Sequence, residues 1–151
     1  MERQPAPDFE LPATGGSLFR MSDYKGRGVV LYFYPKDNTP GCTTEGQDFA
    51  ALHVQFQEAG WEVFGISRDS LKAHENFKAK FAFPFQLLAD VDEHVCELYG
   101  VMKLKNMYGK QVRGIERSTF AIMPDGLIAR AWRGVKVPSH AQEVLAFVSS
   151  L

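Results

Sequence analysis

Three features of the 151-residue chain predict an α/β fold built on a mixed central β-sheet flanked by helices. Val29 to Tyr34 is an unbroken β-branched and aromatic run, the mark of a strand buried on both faces beneath helices. Strand-like and helix-like segments then alternate, as in parallel βαβ units. Towards the end, Pro124-Asp125-Gly126 separates two apolar runs and turns the chain back on itself. The size suits one domain spanning 1–151, and 45% hydrophobic residues suffice for a core. Seventeen Lys and Arg against eighteen Asp and Glu give a net charge of −1, which leaves no basic footprint for nucleic acid. No apolar run approaches the ~20 residues that cross a bilayer, so no membrane partner is expected. Met1 to Pro5 carries no apolar leader, so a cytoplasmic location is expected.

The elements follow in order. Up to about Lys25, Pro5, Pro7, Pro12 and Gly15-Gly16 mark loops around a short hairpin. After the Val29–Tyr34 strand, Cys42–Ala59 carries Phe49, Leu52 and Phe56 at helical spacing, and Gly60 stops it. Trp61–Ser67 reads as a second strand, and Ser70–Phe81 as a helix with Leu71, Phe77 and Phe81 inward. Pro84 breaks that helix, Phe85–Leu88 is a short strand, and Asp92–Tyr99 a short helix closed by Gly100. Lys103, Lys105 and Lys110 around the Asn106–Gly109 turn read as a solvated loop, with a docking surface for a partner protein as the alternative. Ser118–Met123 and Leu127–Trp132 form the late hairpin. Ser139-His140-Ala141-Gln142 fits a capping box before a last helix with Val144, Leu145 and Val148 inside. This order resembles a thioredoxin-like fold carrying an inserted strand and helix and an N-terminal hairpin extension.

Two cysteines, Cys42 and Cys96, are too few for a disulfide framework or a zinc site, and no C-x-x-C or H-x-x-x-H cluster accompanies them. His53 falls on the apolar face of the first helix, as a boundary or hydrogen-bonded core histidine. His74, His94 and His140 sit in helical segments without a ligand cluster, so no metal or cofactor is expected. The chemistry therefore points to the strand-to-helix loop, where open α/β sheets gather their sites. Thr39 stands at an N-cap position and Pro40 at the first helical position, where its missing N–H costs nothing. Cys42 then lies in the first turn, facing free N–H groups and the positive end of the helix dipole, which favour a thiolate. Gly41 leaves the approach to the sulfur open.

Phe33-Tyr34-Pro35-Lys36-Asp37-Asn38-Thr39-Pro40-Gly41-Cys42-Thr43-Thr44-Glu45 resembles the active-site loop of peroxiredoxins, whose P-x-x-x-T-x-x-C pattern is met by Pro35, Thr39 and Cys42. Its wording is similar to the peroxiredoxin Q, or bacterioferritin comigratory protein, branch. The resemblance continues through Leu88-Ala89-Asp90, Val95-Cys96-Glu97 and Gly114-Ile115-Glu116-Arg117-Ser118-Thr119-Phe120. It implies a peroxidase in which the Cys42 thiolate attacks hydrogen peroxide or an organic hydroperoxide and becomes a sulfenic acid. It further implies that Thr39 and Arg117 hold the peroxide, that Pro35 shapes the loop and shields the sulfur, and that Glu45 orients Arg117.

The branch often places a resolving cysteine five residues after the first or in the next helix. Here the first position is Gln47, and the segment Ser70–Phe81 holds no cysteine. Cys96 is the one remaining candidate, on a short helix among Val91, Val95 and Tyr99, and free cysteines are among the most buried residues. The expectation is a one-cysteine mechanism with Cys96 structural. The reductant would be a thioredoxin- or glutaredoxin-type protein or a small-molecule thiol, acting on a monomer. A two-cysteine mechanism with Cys96 resolving, and a non-catalytic chaperone or binding module, are the alternatives.

Overall fold

The computed structural model describes residues 2–151. Its interior strand β3 (Gly28–Phe33) is buried at every position and divides the molecule into two cores. Val29, Leu31 and Phe33 point into one core, while Val30 and Tyr32, followed by Tyr34, point into the other. That split is the period-2 alternation of a strand covered on both sides.

The sheet has seven strands in the order β2-β1-β5-β4-β3-β8-β9. β3, β4 (Trp61–Ser67) and β5 (Gln86–Ala89) run parallel. The N-terminal hairpin β1 (Glu10–Ala13) and β2 (Ser17–Arg20) adds antiparallel on β5. The late hairpin β8 (Ser118–Ile122) and β9 (Ile128–Arg133) adds antiparallel on β3. The sheet is therefore mixed, and the thioredoxin-like expectation with its hairpin extension holds. A glycine at Gly28 is required by close packing, because a Cβ there would stand 2.2 Å from the Trp61 ring on the neighbouring strand.

The crossover helices lie on one face. The expected helix over Cys42–Ala59 is two helices, α1 (Pro40–Ala51) and α2 (His53–Glu58). Leu52 N–H bonds back to Phe49 O at 3.2 Å, which tightens the turn and ends α1, and Phe49 and Phe56 then meet at 5.9 Å. α3 (Leu71–Phe81) starts on a true cap, with Ser70 Oγ accepting from Ala73 N at 3.1 Å. Phe77 of α3 and Val144 and Val148 of α5 (His140–Ser149) complete that core. The opposite core is closed by Phe9, Phe19 and the short helix α4 (His94–Leu98) with Val95 and Cys96.

Two expectations need correction. Ser139 has φ +65°, so its hydroxyl makes no cap bond and the capping box does not form. The stretch read as a solvated loop is a second, two-stranded sheet, β6 (Met102–Met107) with β7 (Lys110–Ile115). Its two-residue turn has Tyr108 at φ +53° and Gly109 at φ +77°, the geometry that suits a twisted hairpin. The hairpin stands out from the body, with Leu104, Met107, Tyr108 and Val112 exposed, so its sequence lacks the buried alternating face that reveals a strand. No helix among the described residues is long and apolar enough to cross a membrane.

Candidate active site

The site lies where β3 ends and α1 begins. Pro40 occupies the first turn of α1, and Thr43 N–H donates to Thr39 O at 2.8 Å, the first bond of the helix. Thr39 holds the N-cap position but does not cap with its side chain. Its hydroxyl donates instead to Lys36 O at 2.8 Å, which tightens the preceding loop. With its hydrogen committed there, Thr39 Oγ1 faces other partners as an acceptor. Cys42 is the third residue of α1 and only 2% exposed.

Arg117 closes the site from the start of β8. Its Nη1 donates to Glu45 Oε1 at 2.6 Å and its Nη2 lies 3.5 Å from Cys42 Sγ. The same guanidinium stands 3.2 Å from where a Gly41 Cβ would be, so a side chain at 41 would crowd the arginine as well as the approach to the sulfur. Arg117 is anchored through its own carbonyl, which accepts from Val135 N at 2.9 Å. Glu45, one turn along α1 from Cys42, is buried. Burial pushes its carboxyl up to about 7, against the opposing pull of Arg117. Glu45 Oε2 has no hydrogen-bond partner among the described residues. Pro35 is half-buried in the loop leading to Thr39. The structure thus brings Cys42, Glu45, Gly41 and Arg117 together, with Thr39 and Pro35 on the adjoining loop.

Cys96 lies elsewhere. It is fully buried in the core on the opposite face of the sheet from Cys42, beside Val95 and Tyr99, whereas Val91 is exposed. Asp90 accepts from the N–H groups of Val95 at 3.2 Å and Cys96 at 2.7 Å, holding the start of α4. Burial first, then hydrogen bonding to Asp90 and its charge, pushes the Cys96 thiol well above its ordinary value. Both cysteines are free.

The histidines depart from expectation in two respects. His53 sits at the boundary, but its buried Nδ1 has no partner among the described residues. His74 does belong to a cluster: its donor atoms and those of Asp37 and Asp69 lie within 4.8 Å of one another. The reason is topological, since the β3–α1 loop and the β4–α3 turn converge at one end of the parallel sheet. His74 Nδ1 is 2.7 Å from Asp37 Oδ2, Tyr34 Oη donates to Asp37 Oδ1 at 2.6 Å, and Asp37 N–H donates to Asp69 Oδ2 at 3.0 Å. The spacing of Leu71, His74, Phe77 and Phe81 puts the histidine on the inward face of α3 but says nothing of the two aspartates it meets there. His140 is buried on Thr119, with Nε2 2.8 Å from Oγ1, and burial lowers it to about 4, so it stays neutral.

Comparison with known proteins places this geometry. The sequence pattern described as the AhpC/TSA family matches residues 3–131. A peroxiredoxin Bcp of Xanthomonas campestris is 54% identical over 144 residues, covering 94% of this chain and 90% of the relative. A peroxiredoxin Bcp of Bacillus subtilis is 49% identical over 142 residues, with coverage of 94% and 90%. Among solved structures, Xanthomonas campestris peroxiredoxin Q superposes with a TM-score of 0.91 at 52% identity, covering 94% of this chain and 90% of that one. A Xylella fastidiosa PrxQ variant superposes with a TM-score of 0.92 at 44% identity, covering 99% and 98%. The chain belongs to the AhpC/TSA family, as a peroxiredoxin of the Bcp/PrxQ type and a thiol-dependent peroxidase.

Proposed function

We propose that Cys42 is the peroxidatic nucleophile and that the protein works by a one-cysteine mechanism. The observation that carries this reading is Arg117, which spans Glu45 and the Cys42 sulfur at the N-terminus of α1. The Cys42 thiolate attacks one oxygen of a hydroperoxide, an S–O bond forms and the O–O bond breaks. The departing oxygen leaves with the bonding pair as hydroxide or alkoxide and takes up a proton, and Cys42 becomes a sulfenic acid. Arg117 and the backbone N–H of Cys42 donate towards the peroxide oxygens as charge develops on the leaving one. Thr39 Oγ1, its hydrogen held by Lys36 O, accepts the peroxide O–H. Glu45 fixes Arg117 through a charge-assisted bond. Pro35 shapes the loop and shields the sulfur, and Gly41 leaves the approach open.

The substrates on this reading are hydrogen peroxide and organic hydroperoxides. A related Xanthomonas campestris bacterioferritin comigratory protein has a structure described in terms of alkyl peroxide reduction, which supports the second class. An outside thiol, from a thioredoxin- or glutaredoxin-type protein or a small molecule, attacks the sulfenic sulfur and releases water. A second thiol then restores Cys42. The placement of Cys96 across the sheet supports this route, because a disulfide needs Cα atoms within ~7 Å. We further infer a single domain acting as a cytoplasmic monomer.

The test is one equivalent of hydrogen peroxide added without reductant, followed by intact mass and thiol counting. A sulfenic acid trapped on Cys42 is expected, with Cys96 still a thiol. A Cys42–Cys96 disulfide would refute the one-cysteine mechanism.

A further inference from the structure

We propose that Asp37 and His74 share one buried proton and that this pair positions the β3–α1 loop for peroxide reduction, which makes His74 a positioning residue. The inference rests on the reading of Cys42 as the peroxidatic thiol and adds to it a residue on a different helix. His74 is fully buried and Asp37 nearly so. His74 Nε2 lies 2.9 Å from Leu88 O, an atom that can only accept, so Nε2 carries a hydrogen. His74 Nδ1 lies 2.7 Å from Asp37 Oδ2. A ring lone pair and a carboxylate lone pair repel at that distance, so a proton stands between them. It is held as imidazolium–carboxylate or as imidazole–carboxylic acid, and the hydrogen bond is the same in both.

The remaining partners are consistent with that assignment. Burial first, then Tyr32 and Asp37, holds the Tyr34 phenol well above its ordinary value, so its hydroxyl keeps its hydrogen and donates to Asp37 Oδ1. Asp69 accepts from Ser67 Oγ at 2.5 Å and from the Asp37 backbone. The titratable groups facing the pair are thus Tyr34 beyond β3 and Asp69 in the β4–α3 turn, while β5 offers only the Leu88 carbonyl. On the outer side of α3, Lys80 Nζ reaches Asn38 Oδ1 at 3.1 Å. Residues 37 and 38 are therefore tied to α3, and Thr39 follows at once. Thr39 Oγ1 and the first turn of α1 inherit their position from a loop whose buried anchor is this one shared proton.

The arrangement also distinguishes a proton from a metal ion. A cation held by Asp37, Asp69 and His74 would need the single Nδ1 lone pair, and would have to displace the proton that this nitrogen shares with Asp37.

The decisive comparison is Asp37→Asn against Asp37→Ala. Asparagine is isosteric, its oxygen accepts from Tyr34, and its amide donates to a neutral His74 Nδ1. The shared proton is replaced by a fixed N–H. Stopped-flow oxidation of Cys42 by hydrogen peroxide should slow at least about tenfold in Asp37→Ala and in His74→Phe, as for a misplaced reacting group. Asp37→Asn should recover the rate to within about threefold of wild type, whereas Asp37→Leu, which fills a similar volume without the hydrogen bonds, should stay as slow as the alanine. Wild-type rates at Asp37→Ala, or an Asp37→Asn as slow as the alanine, would overturn the proposal. Should the alanine and phenylalanine variants fail to fold, the native protein supplies the test. ¹⁵N-histidine labelling should reveal an exchange-protected, strongly downfield proton beside His74 Nδ1, and its absence would overturn the pair. Equimolar Zn²⁺ retained through dialysis by the wild type and lost in His74→Phe would also overturn it. A wild-type Cys42 oxidised no faster than a free thiol would instead refute the reading of the nucleophile.

Discussion

Cys42 and Cys96 are nearly equal in exposure, 2% and 0%, yet their surroundings differ in kind. Around Cys42 stand two features that favour negative charge, the start of a twelve-residue helix and the Arg117 guanidinium, which Glu45 shares. Around Cys96 the close polar group is a buried carboxylate, Asp90, and the rest of the lining is Val95, Tyr99 and other apolar side chains. A thiolate in the second site would face an anion in a low-dielectric core. Burial by itself therefore does not make a cysteine inert. The sign of the nearest fixed charge decides, and the sheet between the two sites keeps the environments apart.

The strongest way to break this contrast is to exchange sulfur for oxygen at each site. Cys42→Ser should abolish turnover, a loss of at least about 10³-fold in peroxide consumption, as expected when a nucleophile is removed. Cys96→Ser should stay within about threefold, since no step of the proposed one-cysteine route uses that sulfur. Next in size, Arg117→Ala should slow single-turnover oxidation of Cys42 by about 10²–10³-fold, the scale for losing a preorganised donor to a developing oxyanion. The same substitution should scarcely alter Cys96, which alkylating reagents should label only after unfolding. Labelling of Cys96 in the native protein at the rate of Cys42 would collapse the comparison.

A smaller effect sharpens the Cys42 side. The Glu45 carboxyl, raised to about 7 by burial, is largely protonated below that pH and ionised above it. Ionisation turns its contact with the Arg117 cation into a full ion pair and fixes the guanidinium. The oxidation rate should therefore rise as pH passes upward through about 7. Glu45→Gln should lose that inflection and, above it, run about tenfold slower than wild type. The smallest effect belongs to the other face. Cys96→Ala should cost about 1–2 kcal/mol in urea unfolding, the cavity term for one buried atom, with the oxidation rate unchanged.

The distribution of what the sequence revealed follows from these environments. Cys42 at a helix start was legible from the local chemistry of the loop, whereas the roles of Pro35, Thr39, Glu45 and Arg117 came from the resemblance to peroxiredoxins, Arg117 standing 75 positions from the cysteine it faces. β3, β4 and the two outer hairpins of the main sheet were legible because burial writes itself as apolar runs and turns. The β6–β7 hairpin was not, since an exposed two-stranded ribbon has no apolar face to alternate. The break at Leu52 leaves the helical spacing of Phe49 and Phe56 intact, so periodicity passes over it. Thr39 and Ser139 both have capping side chains, but one bonds backward to Lys36 and the other sits in a left-handed conformation. His74 needed the approach of two loops distant in sequence, which spacing along one helix cannot supply.

α1 is fastened unevenly along its length. Its rear is seated by Phe49, stacked on Tyr32 at 4.7 Å and touching Phe56. Its front buries Cys42, Glu45 and Gly46, and is held by the bonds to Arg117, by the loop that carries Thr39 and by the close approach of Gly46 to the Phe83 ring. Hydrogen bonds of that kind can be exchanged for water at small net cost, whereas pulling out the aromatic end would open the core. On the proposed one-cysteine route, an outside thiol would therefore approach the end of α1 that is held by polar contacts and not the end seated in the aromatic core. The break at Leu52 ends α1 after about three turns, so the cysteine-bearing helix and α2 are separate bodies joined at one residue.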